Sequence, residues 1–140
     1  RGLLAGRDVA SAVRDARNVA RAHDGAPVLG RELDEIGVLD SDWPDRLVAA
    51  RPRGTGYVVD SLRASLACLL ASRSFEQAVL SAVNLGEDAD TTGAVTGGLA
   101  GLHYGLAAIP ARWRAALART GDLATLFGAF ADRALSPGHG

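Results

Sequence analysis

The chain contains no methionine, even at position 1, and no lysine, since all fifteen basic residues are arginine. A 140-residue sequence that starts this way is expected to be a piece of a longer protein, about one domain in length. Its single cysteine, Cys68, excludes a disulfide within the chain and any cysteine-based metal motif. Set in Leu66-Ala67-Cys68-Leu69-Leu70, that thiol reads as a small buried hydrophobe. Charge of one sign is not in excess: fifteen basic against sixteen acidic residues leave a formal net charge of -1, so no global field draws nucleic acid or an anionic membrane. The N-terminus lacks the basic, apolar and small-residue order of a signal peptide, which makes the cytoplasm the expected compartment. Period-two alternation and clustered β-branched residues are also missing, so no sheet is expected. Thr91 to Ala111 carries no formal charge outside His103, but it is rich in glycine and threonine. Only Val95, Leu99 and Leu102 are strongly apolar in its first part, which argues against a membrane span.

What remains is a globular, all-α pattern, 48% hydrophobic and 22% charged. Asp8 to His23 is amphipathic, with Val9, Ala12, Val13, Ala16, Val19 and Ala20 on one stripe, Asp8 as N-cap and Gly25 closing the helix. Leu33, Ile36, Val38 and Leu39 suggest short helical turns, and Pro44 suits the first turn of a short helix through Ala50. After the Pro- and Gly-broken loop 51–56, Tyr57 to Ser72 is helical. Ser74 and Gln77 then form a capping box opening a helix through Val83 that Gly86 ends. Asp90 or Thr91 is expected to cap the next helix. In it Gly93, Gly97, Gly101 and Gly105 recur every four residues and line one face with bare backbone, which predicts close packing at the centre of a bundle. Pro110 to Ala118 and Asp122 to Leu135 complete the helices, the second capped by Asp122, and residues 136–140 read as a flexible tail.

The chemistry concentrates in Asn84-Leu85-Gly86-Glu87-Asp88-Ala89-Asp90-Thr91-Thr92-Gly93. Three acids in four residues followed by two hydroxyls gather hard oxygen donors on a turn entering a helix, a set suited to Mg²⁺ or Ca²⁺ rather than zinc. Asp88 and Asp90 can converge on one ion, with Thr91 adding a neutral oxygen. A solvated acidic cap favoured by the helix dipole fits the same spacing, so both readings stay open at this point. The loop Gly54-Thr55-Gly56-Tyr57 is likewise a plain turn, with Tyr57 as core, on spacing alone.

Gly86-Glu87-Asp88-Ala89-Asp90-Thr91-Thr92-Gly93-Ala94-Val95, followed by Gly98-Leu99-Ala100-Gly101-Leu102-His103-Tyr104-Gly105, resembles the C-terminal metal motif and following helix of the ADP-ribosylglycohydrolase family. Gly54-Thr55-Gly56-Tyr57-Val58-Val59-Asp60-Ser61-Leu62 is similar to that family's glycine loop and helix, and Ile109-Pro110-Ala111-Arg112-Trp113 to its usual continuation. The resemblance covers roughly residues 54–117. It implies a compact all-α bundle, incomplete at its N-terminus, with residues 1–135 as the C-terminal portion of one domain. The implied enzyme holds two Mg²⁺ ions in a central cleft and hydrolyses the glycosidic bond between ADP-ribose and a modified protein side chain or small molecule. On that analogy Asp88, Asp90 and Thr91 are metal ligands, and the ions grip the ribose hydroxyls and orient a water toward the anomeric carbon. Nearby carboxylates would stabilise the oxocarbenium-like charge on the sugar. Gly54, Thr55, Gly56 and Tyr57 would line the substrate pocket, their backbone amides approaching a diphosphate.

The family's upstream acidic cluster has no counterpart here. Glu32, Asp34, Glu35, Asp40, Asp42 and Asp45 read as a solvated surface, and no catalytic residue is assigned. The chain is therefore expected to carry one side of the metal site and to be inactive alone. The rival readings are a non-catalytic relative of the same fold and a helical interaction module. His23, His103 and His139 show no ligand spacing, and His103 reads as a hydrogen-bonded core residue. Trp43 and Trp113 read as packing anchors, and Arg51 and Arg53 as a solvated loop pair. Neither a serine nucleophile elbow nor an indication of oligomeric state is present.

Overall fold

In the computed structural model, which describes residues 3–22 and 42–135, helix boundaries follow local chemistry. Helix α1 (Val9–Ala22) starts where Asp8 Oδ1 accepts the Ser11 N–H at 2.9 Å. That bond holds the Asp8 carboxyl below its ordinary pKa, so the cap is intact above the unfolded value and is lost as pH falls through the folded one. Helix α2 (Trp43–Ala49) carries Pro44 in its first turn, where a missing N–H is harmless. Helix α3 (Val58–Leu70) follows an extended Tyr57. Before α4 (Phe75–Val83), Ser74 Oγ accepts the Gln77 N–H at 3.1 Å, while Gln77 Oε1 takes the N–H of Arg73 at 2.9 Å rather than that of Ser74. The expected reciprocal cap thus closes one residue early.

Helix α5 (Ala89–Tyr104) is capped at Asp88, not at Asp90 or Thr91. Gly86 (φ 76°) and Glu87 (φ 52°) both lie in the left-handed region and reverse the chain sooner than composition suggests. Helix α6 (Ala111–Ala116) has Pro110 as its N-cap residue. Helix α7 (Thr120–Leu135) starts before the expected Asp122 cap, and Asp122 sits inside its first turn, accepting from Arg119 Nε at 2.7 Å. No strand occurs among the described residues, as the all-α reading requires. Gly25, the turns expected near Leu33 to Leu39, the acids Glu32, Asp34, Glu35 and Asp40, His23, and the tail with His139 lie outside the described residues.

The described residues fall into two compact units that divide after Ala108. In the second, Leu117, Leu126, Phe127 and Phe130 are exposed, and the Arg112 guanidinium lies 5.7 Å from the Trp113 ring centre. In the first, α3, α4 and α5 pack pairwise, with α2 against α3. Leu47 of α2 and Leu66 and Ala67 of α3 form a buried cluster, onto which Ala10, Val13, Leu62, Leu70 and Leu99 pack. Cys68 is buried as expected, and burial pushes its thiol pKa up.

Helices α3 and α5 run parallel. Their starts meet where the Asp88 N–H donates to Gly54 O at 2.9 Å, and Ser65 Oγ donates to Thr92 O at 3.3 Å farther along. At the far end Tyr104 Oη donates to Ser72 O at 2.8 Å. Helix α4 runs antiparallel to α5, since a Cβ at Gly93, Gly97 or Gly101 would meet Val83, Val79 or Phe75 in turn. The expected glycine face therefore exists, but its tightness is uneven. A Cβ at Gly93 would lie 2.8 Å from Val83 Cγ1, whereas those at Gly97 and Gly101 would stand in ordinary contact at 3.8 and 3.9 Å. Gly105 (φ 82°) is instead the left-handed residue that stops the helix.

His103 is exposed rather than a core residue, with its ring edge-on to Tyr104 at 4.5 Å. It lies in the last turn of α5, and α4, which begins at Phe75 opposite Gly101, offers nothing farther along to cover it. No helix among the described residues is long and apolar enough to cross a membrane.

Two stability predictions follow from this packing. Thr96 is fully buried and its hydroxyl has no partner. Thr96→Val keeps the shape and removes the desolvated oxygen, and should stabilise by about 1 kcal/mol in a denaturant titration. Gly97→Ala and Gly101→Ala should each raise stability by up to about 1 kcal/mol through helix propensity. Gly93→Ala should forfeit that gain against Val83; equal gains at all three positions would show that the close contact yields freely.

Candidate functional site

Two segments far apart in sequence meet at the parallel starts of α3 and α5. The first is the loop Arg53 to Tyr57, which ends in the first turn of α3. The second is the acidic turn Gly86 to Thr91, which opens α5. Three contacts join them. The Asp88 N–H donates to Gly54 O, a Cβ on Gly56 would lie 2.8 Å from Asp88 Oδ2, and one on Gly54 would lie 2.6 Å from Thr92 Oγ1. Both glycines are therefore required by space, and Gly56 (φ 80°) by conformation as well. An ion pair between Arg53 and Glu87, both at the surface, adds a fourth contact. Such exposed pairs contribute little, about 0–1 kcal/mol, so the backbone bond and the glycine contacts set the register.

The Asp88 and Asp90 carboxyls lie within hydrogen-bonding reach of each other. That bond, then the Thr91 N–H donated to Asp90 Oδ1 at 3.0 Å, holds the Asp90 carboxyl below the usual carboxylate range. The hard carboxylate oxygens of Asp88 and Asp90 are of the kind that suits Mg²⁺. Thr91 stands exposed on the first turn of α5. Among the described residues no group of three or more His, Cys, Asp or Glu side chains that could hold a metal is found. Asp88, Asp90 and Thr91 carry oxygens of the type that part of a magnesium site would need.

On the facing loop, Gly54 is buried while Thr55, Gly56 and Tyr57 are exposed, Tyr57 by half of its surface. That exposure removes the alternative of Tyr57 as core. Asp42 and Asp45 are exposed, Asp45 in the first turn of α2, away from the acidic turn in sequence and element.

Three residues here escaped sequence reasoning. Arg53 is paired with Glu87 across the two loops rather than with Arg51 in a solvated pair. The Thr92 hydroxyl is buried without a partner behind Gly54. Asp60, in the first turn of α3, accepts the Thr55 hydroxyl at 2.6 Å. In the sequence Thr92 entered only as one of two hydroxyls after the acidic turn, and Asp60 only within the stretch that resembles the family's glycine loop and helix.

The ADP-ribosylarginine hydrolase Tri1 of Pseudomonas putida is 46% identical over 61 residues, which are 44% of this chain and 16% of that protein. Its counterpart in Serratia proteamaculans is 44% identical over 61 residues, again 44% of this chain and 17% of that protein. The ADP-ribosyl-[dinitrogen reductase] glycohydrolase of Rhodospirillum rubrum is 39% identical over 61 residues, 44% of this chain and 21% of that protein. The matched stretch thus spans about a fifth or less of each of these relatives. No solved structure matches the chain. The family model for ADP-ribosylglycohydrolase matches residues 1–139, nearly the whole sequence. With its glycine loop seated against its acidic turn, the chain belongs to the ADP-ribosylglycohydrolase family.

Proposed function

We propose that this chain forms one wall of the catalytic cleft of an Mg²⁺-dependent hydrolase that releases ADP-ribose from a modified protein side chain. The contact of the glycine loop with the acidic turn carries this reading, because it brings the exposed backbone of Thr55 and Gly56 beside Asp88. Asp88, Asp90 and Thr91 would hold the metal, completed by acidic ligands from elsewhere in the whole protein. When bound, Mg²⁺ supplies positive charge that organises ribose hydroxyls and water in such hydrolases.

The chain's own groups do the rest. Gly54 and Gly56 let the loop close against Thr92 and Asp88, which fill the space where a Cβ would stand, and Tyr57 offers an exposed ring to the nucleoside end. The starts of α3 and α5 lie together here, and the positive ends of their dipoles favour an anion such as a diphosphate. A carboxylate beside the sugar stabilises the positive charge that develops as the substituent departs. The named activities of the relatives make ADP-ribosylated arginine the first substrate to test, with the cytoplasm as the proposed compartment and nucleic acid and membranes outside its partners.

The test is ADP-ribose release by the whole protein with and without Mg²⁺. Asp88→Ala and Asp90→Ala should each lose Mg²⁺-dependent release while keeping their helical circular dichroism; unchanged turnover in both would refute the site. Gly56→Ala, whose Cβ would press on Asp88 from a left-handed backbone, should lower kcat/KM by up to about 100-fold through misplacement alone.

A further inference from the structure

Thr55 is held by a hydrogen-bond relay rather than standing as a free hydroxyl. Its Oγ1 donates to Asp60 Oδ2 at 2.6 Å, a length typical of an O–H bonded to a charged carboxylate. The same oxygen accepts the N–H of Tyr57, the N-cap residue of α3, at 3.4 Å. In a capping box the acid at the third helical position takes the N-cap N–H directly. Here Asp60 holds that position, but a threonine hydroxyl stands between it and the amide. Tyr57 has no side-chain cap of its own, so this relay links the exposed loop to the first turn of the helix. Asp60 is half-buried, whereas Thr55, Gly56 and Tyr57 are exposed.

We propose that Asp60 is a positioning residue: acting through Thr55, it fixes the glycine loop in the conformation that receives the diphosphate of ADP-ribose. The inference rests on the proposed ligand of that loop. It has a chemical corollary. A hydroxyl has one proton, and that of Thr55 is spent on Asp60, so Thr55 can accept from a ligand but cannot donate to a phosphate oxygen. Two effects of Asp60 oppose each other. Its negative charge at a helix start repels a diphosphate, while its hydrogen bond removes the ordering that binding would otherwise require. If positioning wins, deleting the carboxylate weakens binding; if charge wins, deletion strengthens it.

The experiment is calorimetric titration of ADP-ribose into the whole protein with Mg²⁺ present, and of Mg²⁺ alone, for Asp60→Ala, Asp60→Asn, Thr55→Val, Thr55→Ser and the Asp60→Ala/Thr55→Val double variant. Asp60→Ala and Thr55→Val should each raise the Kd for ADP-ribose about tenfold, the size of one hydrogen bond's net loss. Asp60→Asn and Thr55→Ser, which preserve the relay, should stay within about twofold of the parent. The double variant should be no weaker than the weaker single, and Mg²⁺ affinity should be unchanged throughout. Should Asp60→Ala fail to fold, the contrast of Thr55→Val with Thr55→Ser carries the same prediction. Parental or tighter binding by Asp60→Ala, additive losses in the double variant, or equal changes in Asp60→Ala and Asp60→Asn would each overturn the inference. A parent that binds no ADP-ribose would remove the underlying reading, and the inference with it.

Discussion

The site exists because α3 and α5 lie side by side in the same direction, and they do so through small side chains. The buried residues of α5 are Thr92, Thr96 and Ala100, and α3 meets them with Ser65, whose i−4 neighbour Ser61 is buried as well. Small side chains let backbones come close, and here the closeness reaches the loops, where Gly54 and Gly56 touch Thr92 and Asp88. The gain is offset by desolvated hydroxyls: Ser61, Thr92 and Thr96 have no hydrogen-bond partner. A seam of valine and leucine would hold more apolar area but would push the two loops apart. Parallel direction adds a second constraint, since both helices then present their positive ends at the same place. Antiparallel α4 fills the other side of α5 with Val83, Val79 and Phe75 and contributes no start to that end.

Much of this was legible in the sequence wherever the cause was local. Pro44 in a first turn, Ser74 as a cap and Asp8 before α1 act within four residues, and the structure keeps each of them. The cap of α5 was misplaced because it depends on Glu87 adopting φ 52°, and a non-glycine residue gives no sign in sequence of a left-handed backbone. His103 was misjudged for a different reason. Periodicity marks a face, but only the length of the neighbouring helix decides where along that face cover ends. The exchange of partners between Arg53 and Glu87, thirty-four positions apart, is likewise set by the packing of two helices and by nothing adjacent to either residue.

The candidate site was legible for another reason: its residue types are chemically demanding. Glycines that a Cβ would drive into Asp88 and Thr92, and aspartates one residue apart at a helix start, have few uses that are not structural turns or ligand contacts. Spacing alone could not choose between the solvated cap and the metal site. The geometry bears on that choice, because Asp88 caps α5 by position without using its side chain on any helix N–H. An acid recruited only as a cap would accept the N–H two or three residues on, as Asp8 does with Ser11. Asp88 leaves those donors alone, and its Oδ2 lies beside Gly56 instead, 2.8 Å from where a Cβ would stand.

That arrangement leaves the shape of the turn to its backbone. Left-handed Gly86 and Glu87 set the direction of the chain, the Asp88 amide is tied to Gly54, and the carboxyl of Asp88 rests against the Cα side of Gly56. An ion arriving at such a turn would meet two donors already oriented, so the ordering entropy that a flexible acidic loop surrenders on binding has been met during folding. The same tie runs in the other direction. Because the Asp88 amide and the Gly54 carbonyl share one hydrogen bond, a displacement of the acidic turn moves the glycine loop with it.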